Sequence, residues 1–368
     1  MKGLIDSTLR EGEQTPGVSF RLSTKIQIAR LLARVGIEEI EIGIATPYDR
    51  ELPELVRLCR REITAGRLAL WCRCAEDDIK HGASLKPDVL SLSMPASDMH
   101  IFDKMNRNHD WAIATLEKSV KLSRAIGVPF VSVGLEDATR ADNDFLLQMV
   151  RTAERSGAHR VRIADTVGIA SPAMISSLVR RIIGSCSLEI GVHTHNDFGM
   201  ATANGIAALE SGAHWADATV LGLGERAGNS RLEEIAGYLA LREGSRPYKT
   251  AHLRSLCRVV AKAANLPIAG NHPVVGRSIF TCETGLHLQG LTRNPATYEP
   301  YDPSRVGGHR RLLLGKKAGK RAIMDKLDSM GVNMAETELE RITSLVRLHA
   351  GSKKRPLNDE EILAITAL

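Results

Sequence analysis

Gly191-Val192-His193-Thr194-His195-Asn196-Asp197-Phe198-Gly199 reads as a β-strand running out into a loop. Alternate side chains of a strand share a face, so His193 and His195 point one way and Thr194 the other. That spacing suits two ligands of one metal ion, and equally two histidines hydrogen-bonded in a core or loop. The flanking chain says more about architecture. After the pair, apolar residues at three- and four-residue steps predict a helix over Ala201–Ser211, Gly212 stops it, and a strand follows at Ala216–Leu221.

This strand–helix unit recurs along the chain about eight times. The other strands are expected at Leu4–Leu9, Glu39–Ile44, Leu68–Cys72, Val89–Ser93, Phe130–Gly134, Arg160–Ala164 and Glu189–His193. Helices are expected at Thr24–Val35, Trp111–Ile126, Phe145–Ser156 and Ala173–Ile183, among others. Gly36, Gly127, Gly157 and Gly212 each follow a helix at the position where a left-handed residue terminates it. Eight βα units in about 240 residues predict an α/β fold, a closed (β/α)8 TIM barrel whose strand C-termini carry the chemistry. An open doubly wound sheet is the alternative, although no G-x-G-x-x-G follows the first strand.

The expected organisation is a barrel over 1–243, a linker and lid segment over 244–310, where prolines break the rhythm, and a helical subdomain over 311–368. Helices are expected there at Ala318–Met330 and Glu336–Leu348, with a last one beginning near Asn358. The 368-residue chain is 43% hydrophobic, enough for a large core, and shows no run of apolar residues suited to a membrane span. The N-terminus enters a strand without a signal peptide, and the cysteines at 59, 72, 74, 186, 257 and 282 lack paired spacing, so a cytoplasmic protein with reduced thiols is expected. The net charge of +6 is spread over the chain and aromatics are only 4%, which argues against a nucleic-acid partner.

The first strand exits into Asp6-Ser7-Thr8-Leu9-Arg10-Glu11-Gly12-Glu13-Gln14. Strands one and seven are both odd-numbered, and alternate strands fill one layer of such a barrel, so Glu11 can meet His193 and His195 at one divalent ion.

The chain resembles the family of metal-dependent acyl-CoA condensing and cleaving barrels, which includes homocitrate, isopropylmalate and citramalate synthases and hydroxymethylglutaryl-CoA lyases. The resemblance rests on the Asp6–Gln14 stretch, His193-Thr194-His195-Asn196-Asp197, Gly222-x-Gly224-Glu225-Arg226-Ala227-Gly228-Asn229, and Gly285-Leu286-His287 with Asn294-Pro295-x-Thr297-Tyr298-Glu299. It implies that Glu11, His193 and His195 bind a divalent cation (magnesium, manganese or zinc) with Asn229 beside it, and that Arg10 steadies the oxygen of an α-keto acid. Gln14, His100 and Thr166 match positions lining the keto-acid pocket, and Glu136 matches a catalytic-site glutamate. His287 and Tyr298 match lid residues that reach the partner subunit's active site in a homodimer and help deprotonate acetyl-CoA.

Cys282 and Lys317 depart from the family pattern, in which histidine and His-Ser are common at those places. Trp71-Cys72-Arg73-Cys74 and Ser93-Met94-Pro95-x-Ser97-Asp98-x-His100 resemble the short homocitrate synthases associated with nitrogenase cofactor assembly. Ser132 and Gly134 stand where lysine-pathway homocitrate synthases hold the distal carboxylate of 2-oxoglutarate, and Arg73 is the candidate to supply that charge instead. The chain is also too short for the regulatory domain common in isopropylmalate synthases. Homocitrate synthesis is therefore the expected activity, with isopropylmalate or citramalate synthesis as the alternative and a lyase disfavoured by the lid pattern.

Overall fold

The computed structural model describes residues 3–63, 65–283 and 285–367. The chain divides into two compact units, residues 1–268 and 269–368. Among the described residues of the first, eight parallel strands close a barrel in sequential order. They are β1 Gly3–Asp6, β2 Glu39–Ile44, β3 Arg67–Arg73, β4 Val89–Pro95, β5 Phe130–Glu136, β6 Arg160–Asp165, β7 Glu189–Thr194 and β8 Trp215–Ala218. Between and after them run α1 Leu22–Val35, α2 Leu52–Glu62, α3 Glu76–Ser84, α4 His109–Ile126, α5 Asn143–Arg155, α6 Pro172–Ile183, α7 Ala201–Glu210, α8 Leu232–Gly237 and α9 Leu253–Ala263.

Local sequence sets these bounds. Asn108, Asp142 and Ser171 accept hydrogen bonds from the first-turn amides of α4, α5 and α6, and Pro172 occupies the first turn of α6, where no amide hydrogen is needed. Gly36, Gly127, Gly157 and Gly212 all have φ between 91° and 106°, the left-handed stop expected of them. On α5, buried Phe145, Leu146, Met149, Val150 and Ala153 form the stripe that covers the barrel.

Several limits differ from the sequence expectation, and three of them have a clear local cause. β1 stops at Asp6 instead of Leu9, because the carbonyl of Ser7 accepts the amides of Arg10, Glu11 and Gly12 and folds the chain into a turn. β8 stops at Ala218 instead of Leu221, where Leu221 itself has φ 61°. The first unit reaches Ile268, past the expected boundary at 243, because α9 buries Leu253, Leu256, Cys257 and Val260 on the barrel unit.

Leu70, Leu90, Leu92, Val131, Val133, Val161, Ile163 and Ile190 alternate along the strands and are fully buried. The barrel interior is charged instead. At its lower end Arg160 pairs with Glu39 at 2.6 Å and takes Ser132 Oγ at 3.0 Å, while Arg67 stacks over Phe130 and Trp215. Arg160 and Glu39 are 0% and 1% exposed, so each charge needs the other.

The second unit holds a two-stranded sheet, β9 Thr281–Cys282 with β10 Arg311–Leu312, and helices α10 Gly285–Arg293, α11 Lys320–Ser329, α12 Glu336–Lys353 and α13 Asp359–Thr366. Asn358 caps α13 reciprocally with Glu361. Ile323, Leu327, Ile342, Val346 and Ile362 form its core. Among the described residues no helix is long and apolar enough to cross a membrane.

Candidate metal centre and substrate cavity

The turn after β1 and the end of β7 bring Glu11, His193 and His195 together, with one ligand atom of each within 4.8 Å of the others. The imidazole Nε2 atoms are 3.2 Å apart, and Glu11 Oε1 lies 4.0 Å from His195 Nε2. His193 is the last residue but one of β7, whereas His195 sits just past the strand and is held by an antiparallel bridge to Asn229, with Asn196 N donating to Gly228 O at 2.8 Å. Asn229 is therefore beside the cluster. Its Nδ2 donates to Leu223 O at 2.8 Å, and among the described residues its buried Oδ1 has no partner. Gly224, at φ 152°, makes this placement possible, since a Cβ there would lie 2.0 Å from Asn229 Nδ2.

A cation fits this donor set. His193 Nδ1 is taken by Asp217 and His195 Nδ1 is buried without a partner among the described residues, so the facing Nε2 atoms and the Glu11 carboxylate are the donors left for a cation. Burial and the adjacent His193 push the His195 pKa down to about 3, so the ring is neutral. Burial alone would raise the Glu11 carboxyl, but Arg10 and the two imidazoles hold it below its usual range, so it is ionised.

Beneath the cluster, ion pairs form a closed ring. Arg10 binds Glu11 and, through Nε at 2.6 Å, Glu41; Arg162 bridges Glu41 at 3.2 Å and Asp217 at 2.8 Å; Asp217 Oδ2 accepts from His193 Nδ1 at 3.1 Å. The last contact fixes which imidazole nitrogen of His193 carries the proton and leaves Nε2 facing the cluster. Apart from the imidazoles, three carboxylates, Glu11, Glu41 and Asp217, face two guanidiniums, Arg10 and Arg162, an excess of one negative charge in a buried site. Burial opposes ionisation of Asp217, but Arg162 and His193 keep its pKa below the ordinary value.

A cavity of about 230 Å3 opens above this ring. Glu11, His193, His195 and Arg10 line it together with Gln14, Trp71 and Thr166; Arg10 Cζ lies 5.7 Å from the Trp71 ring centroid. Thr166 is held by Asp137, whose amide donates to its Oγ1 at 2.8 Å. Ser93, Gly134, Glu136 and Lys104 belong to the β4 and β5 side. Glu136 accepts from Ser93 Oγ at 2.6 Å and Lys104 Nζ at 3.1 Å, with His100 Nδ1 3.6 Å away. Burial works against its charge, but these neighbours bring its pKa down to about 2.

Arg73 is placed differently from the sequence expectation. Its guanidinium makes two hydrogen bonds to Asp78, at 2.7 and 3.1 Å, its side chain is 66% exposed, and among the described residues it does not line the cavity. The pull is local, since Asp78 in the first turn of α3 is only five residues away. Sequence reasoning also passed over Glu41, Lys104, Arg162 and Asp217. Charged residues inside otherwise apolar strands, as in Glu39-x-Glu41 and Arg160-x-Arg162, were the available signal, because such groups survive burial only when paired.

In the second unit, His287 on α10 and Tyr298 stack with ring centroids 4.2 Å apart. Gly290 clears the way, since a Cβ there would lie 2.5 Å from the Tyr298 ring. Both residues are exposed.

Residues 3–260 match the family described as HMGL-like, and residues 274–354 match the homocitrate synthase post-HMGL domain-like family. Similar proteins include 2-isopropylmalate synthase 2 of Caldanaerobacter subterraneus subsp. tengcongensis, 37% identical over 98% of this chain and 94% of that protein. A homocitrate synthase of Frankia alni is 40% identical over 89% of this chain and 93% of its own, and an (R)-citramalate synthase of Methanocaldococcus jannaschii is 37% identical over 99% and 74%. Among solved structures, the HMG-CoA lyase of Bacillus subtilis superposes with a TM-score of 0.66 at 18% identity, over 73% of this chain and 95% of that one, a likeness of fold.

Proposed function

The chain belongs to the HMGL-like family of enzymes, and on that premise we propose that it condenses acetyl-CoA with 2-oxoglutarate to give homocitrate and CoA. The observation that carries this reading is the presence of Arg10 in the same cavity as the Glu11–His193–His195 cluster. Glu11, His193 and His195, with Asn229 beside them, are the residues that would hold magnesium, manganese or zinc. When bound, such an ion supplies Lewis-acid polarisation of the keto carbonyl.

Arg10 donates to the keto oxygen and stabilises the negative charge that develops there, with Glu11 and Glu41 fixing its orientation. Gln14 and Thr166 contact the acid, and His100 supports Glu136. His287, supplied with Tyr298 by a partner subunit, takes a proton from the acetyl methyl group. The methyl carbon then bonds to the keto carbon, water attacks the thioester carbonyl, and the carbon–sulfur bond breaks to release CoA thiol. A cytoplasmic homodimer serving nitrogenase cofactor assembly is the setting this reading implies.

Relatives named as isopropylmalate and citramalate synthases are as similar as those named homocitrate synthases, which favours a second reading with 2-oxoisovalerate or pyruvate as acceptor. Thiol release from acetyl-CoA, measured across the three acids, separates the readings. The highest kcat/KM is expected with 2-oxoglutarate and abolition by a chelator. A preference for another acid overturns the acceptor assignment, and no release with any acid overturns the condensation itself.

A further inference from the structure

A keto acid with a second carboxylate needs a cation at the far side of the cavity from its keto group, because an unpaired carboxylate loses its hydration on entering. Arg73 is engaged with Asp78. Arg10 and Arg162 are each shared between two carboxylates of the ring on the metal side. Lys104 remains. It closes a short π-helical turn, Met99–Lys104, between β4 and α4, and lines the cavity beside β5. In a closed barrel of eight sequential strands, β4 and β5 face β8 and β1, so Lys104 stands across the cavity from Glu11 and Arg10.

We propose that Lys104 is the specificity-determining residue that receives the distal carboxylate of the keto dicarboxylic acid, an inference that rests on the homocitrate-forming reading above. An ammonium carries three donor hydrogens, and among the described residues Lys104 has one polar partner, Glu136 Oε2 at 3.1 Å. Two donors stay available while that contact is kept. Glu136 is steadied independently by Ser93, so its position does not depend on Lys104. The space between is open: a Cβ at Gly134 would meet nothing nearer than Leu92 O at 3.5 Å. Glu136 also gives the pairing its selectivity. Without the ammonium, its ionised carboxylate repels a second carboxylate on the same wall, whereas an acid ending in methyl groups feels no such penalty.

The test uses full-length, metal-loaded enzyme and the substitutions Lys104→Met, which keeps the stem without the charge, and Lys104→Arg. KM is compared for 2-oxoglutarate, 2-oxoisovalerate and acetyl-CoA, with Ki replacing KM for an acid that is not turned over. Lys104→Met is expected to raise the 2-oxoglutarate constant about ten- to a hundredfold, the range of a charge-assisted hydrogen bond, and to raise the other two less than threefold. Lys104→Arg is expected to recover most of the loss. An equal rise for both acids, or a rise confined to acetyl-CoA, overturns the assignment while leaving the acceptor reading intact. A wild-type preference for a monocarboxylic acid, measured before any substitution, overturns both.

Discussion

Replacing Asp217 by asparagine separates charge from shape in the ring beneath the metal cluster. Asp217 Oδ2 accepts from both Arg162, at 2.8 Å, and His193 Nδ1, at 3.1 Å, while among the described residues Oδ1 has no hydrogen-bond partner. An asparagine with its carbonyl oxygen in the Oδ2 position keeps both contacts and places its amide where no bond was made. What disappears is the charge that polarises His193 and gives the site its negative excess. Carboxylate partners of metal-binding histidines are worth about 10- to 100-fold in metal affinity, or about 1.4–2.7 kcal/mol. Titration of metal-free protein against a chromogenic chelator is therefore expected to show a Kd raised by that factor. The unpartnered amide also costs about 1–3 kcal/mol of stability, which a melt of the metal-free protein reads separately. A Kd within twofold of wild type in a protein that still folds would refute the account of Asp217.

Three further outcomes are expected. Gly228→Ala places a Cβ 1.9 Å from Gly222 O at φ 83°, so it should cost about 1–3 kcal/mol in denaturant unfolding and weaken metal binding by displacing Asn229. Burial raises the Asp6 carboxyl to about 7 despite its bonds from Thr8. A raised acid favours the folded state below its unfolded pKa, and that contribution is lost as pH climbs toward 7, so the Asp6 contribution should be larger at pH 5 than at pH 8 and Asp6→Asn should remove that fall from the slope of stability against pH. An unchanged slope would contradict this. Finally, inactive Glu11→Ala and His287→Ala chains should regain activity when mixed if the lid acts across subunits, and should stay inactive despite proven subunit exchange if it does not.

Much of this architecture was legible because the barrel repeats one local pattern. Each left-handed glycine marks a helix end by sterics alone, and each apolar run marks a strand whose outer face meets helices. The limits of β1 and β8 were not legible, because Leu9 and Leu221 are apolar residues held in turns by backbone bonds that leave no pattern. The convergence of Glu11, His193 and His195 was readable from spacing and resemblance. Their supports were not: Glu41, Arg162 and Asp217 lie on three different strands, and their pairing exists only once the barrel closes. Arg73 shows the converse. Its place at a strand end suited a cavity role, but a nearer carboxylate captured it.

The bridge between His195 and Asn229 has a kinetic consequence. It ties the loop after β8 to the loop after β7 through main-chain contacts that owe nothing to an ion. A cation entering the cluster would then meet donors that the main chain already holds in place. Metal exchange should accordingly run at the pace of ligand substitution and solvent entry, with a demetallated enzyme regaining activity on simple addition of the ion.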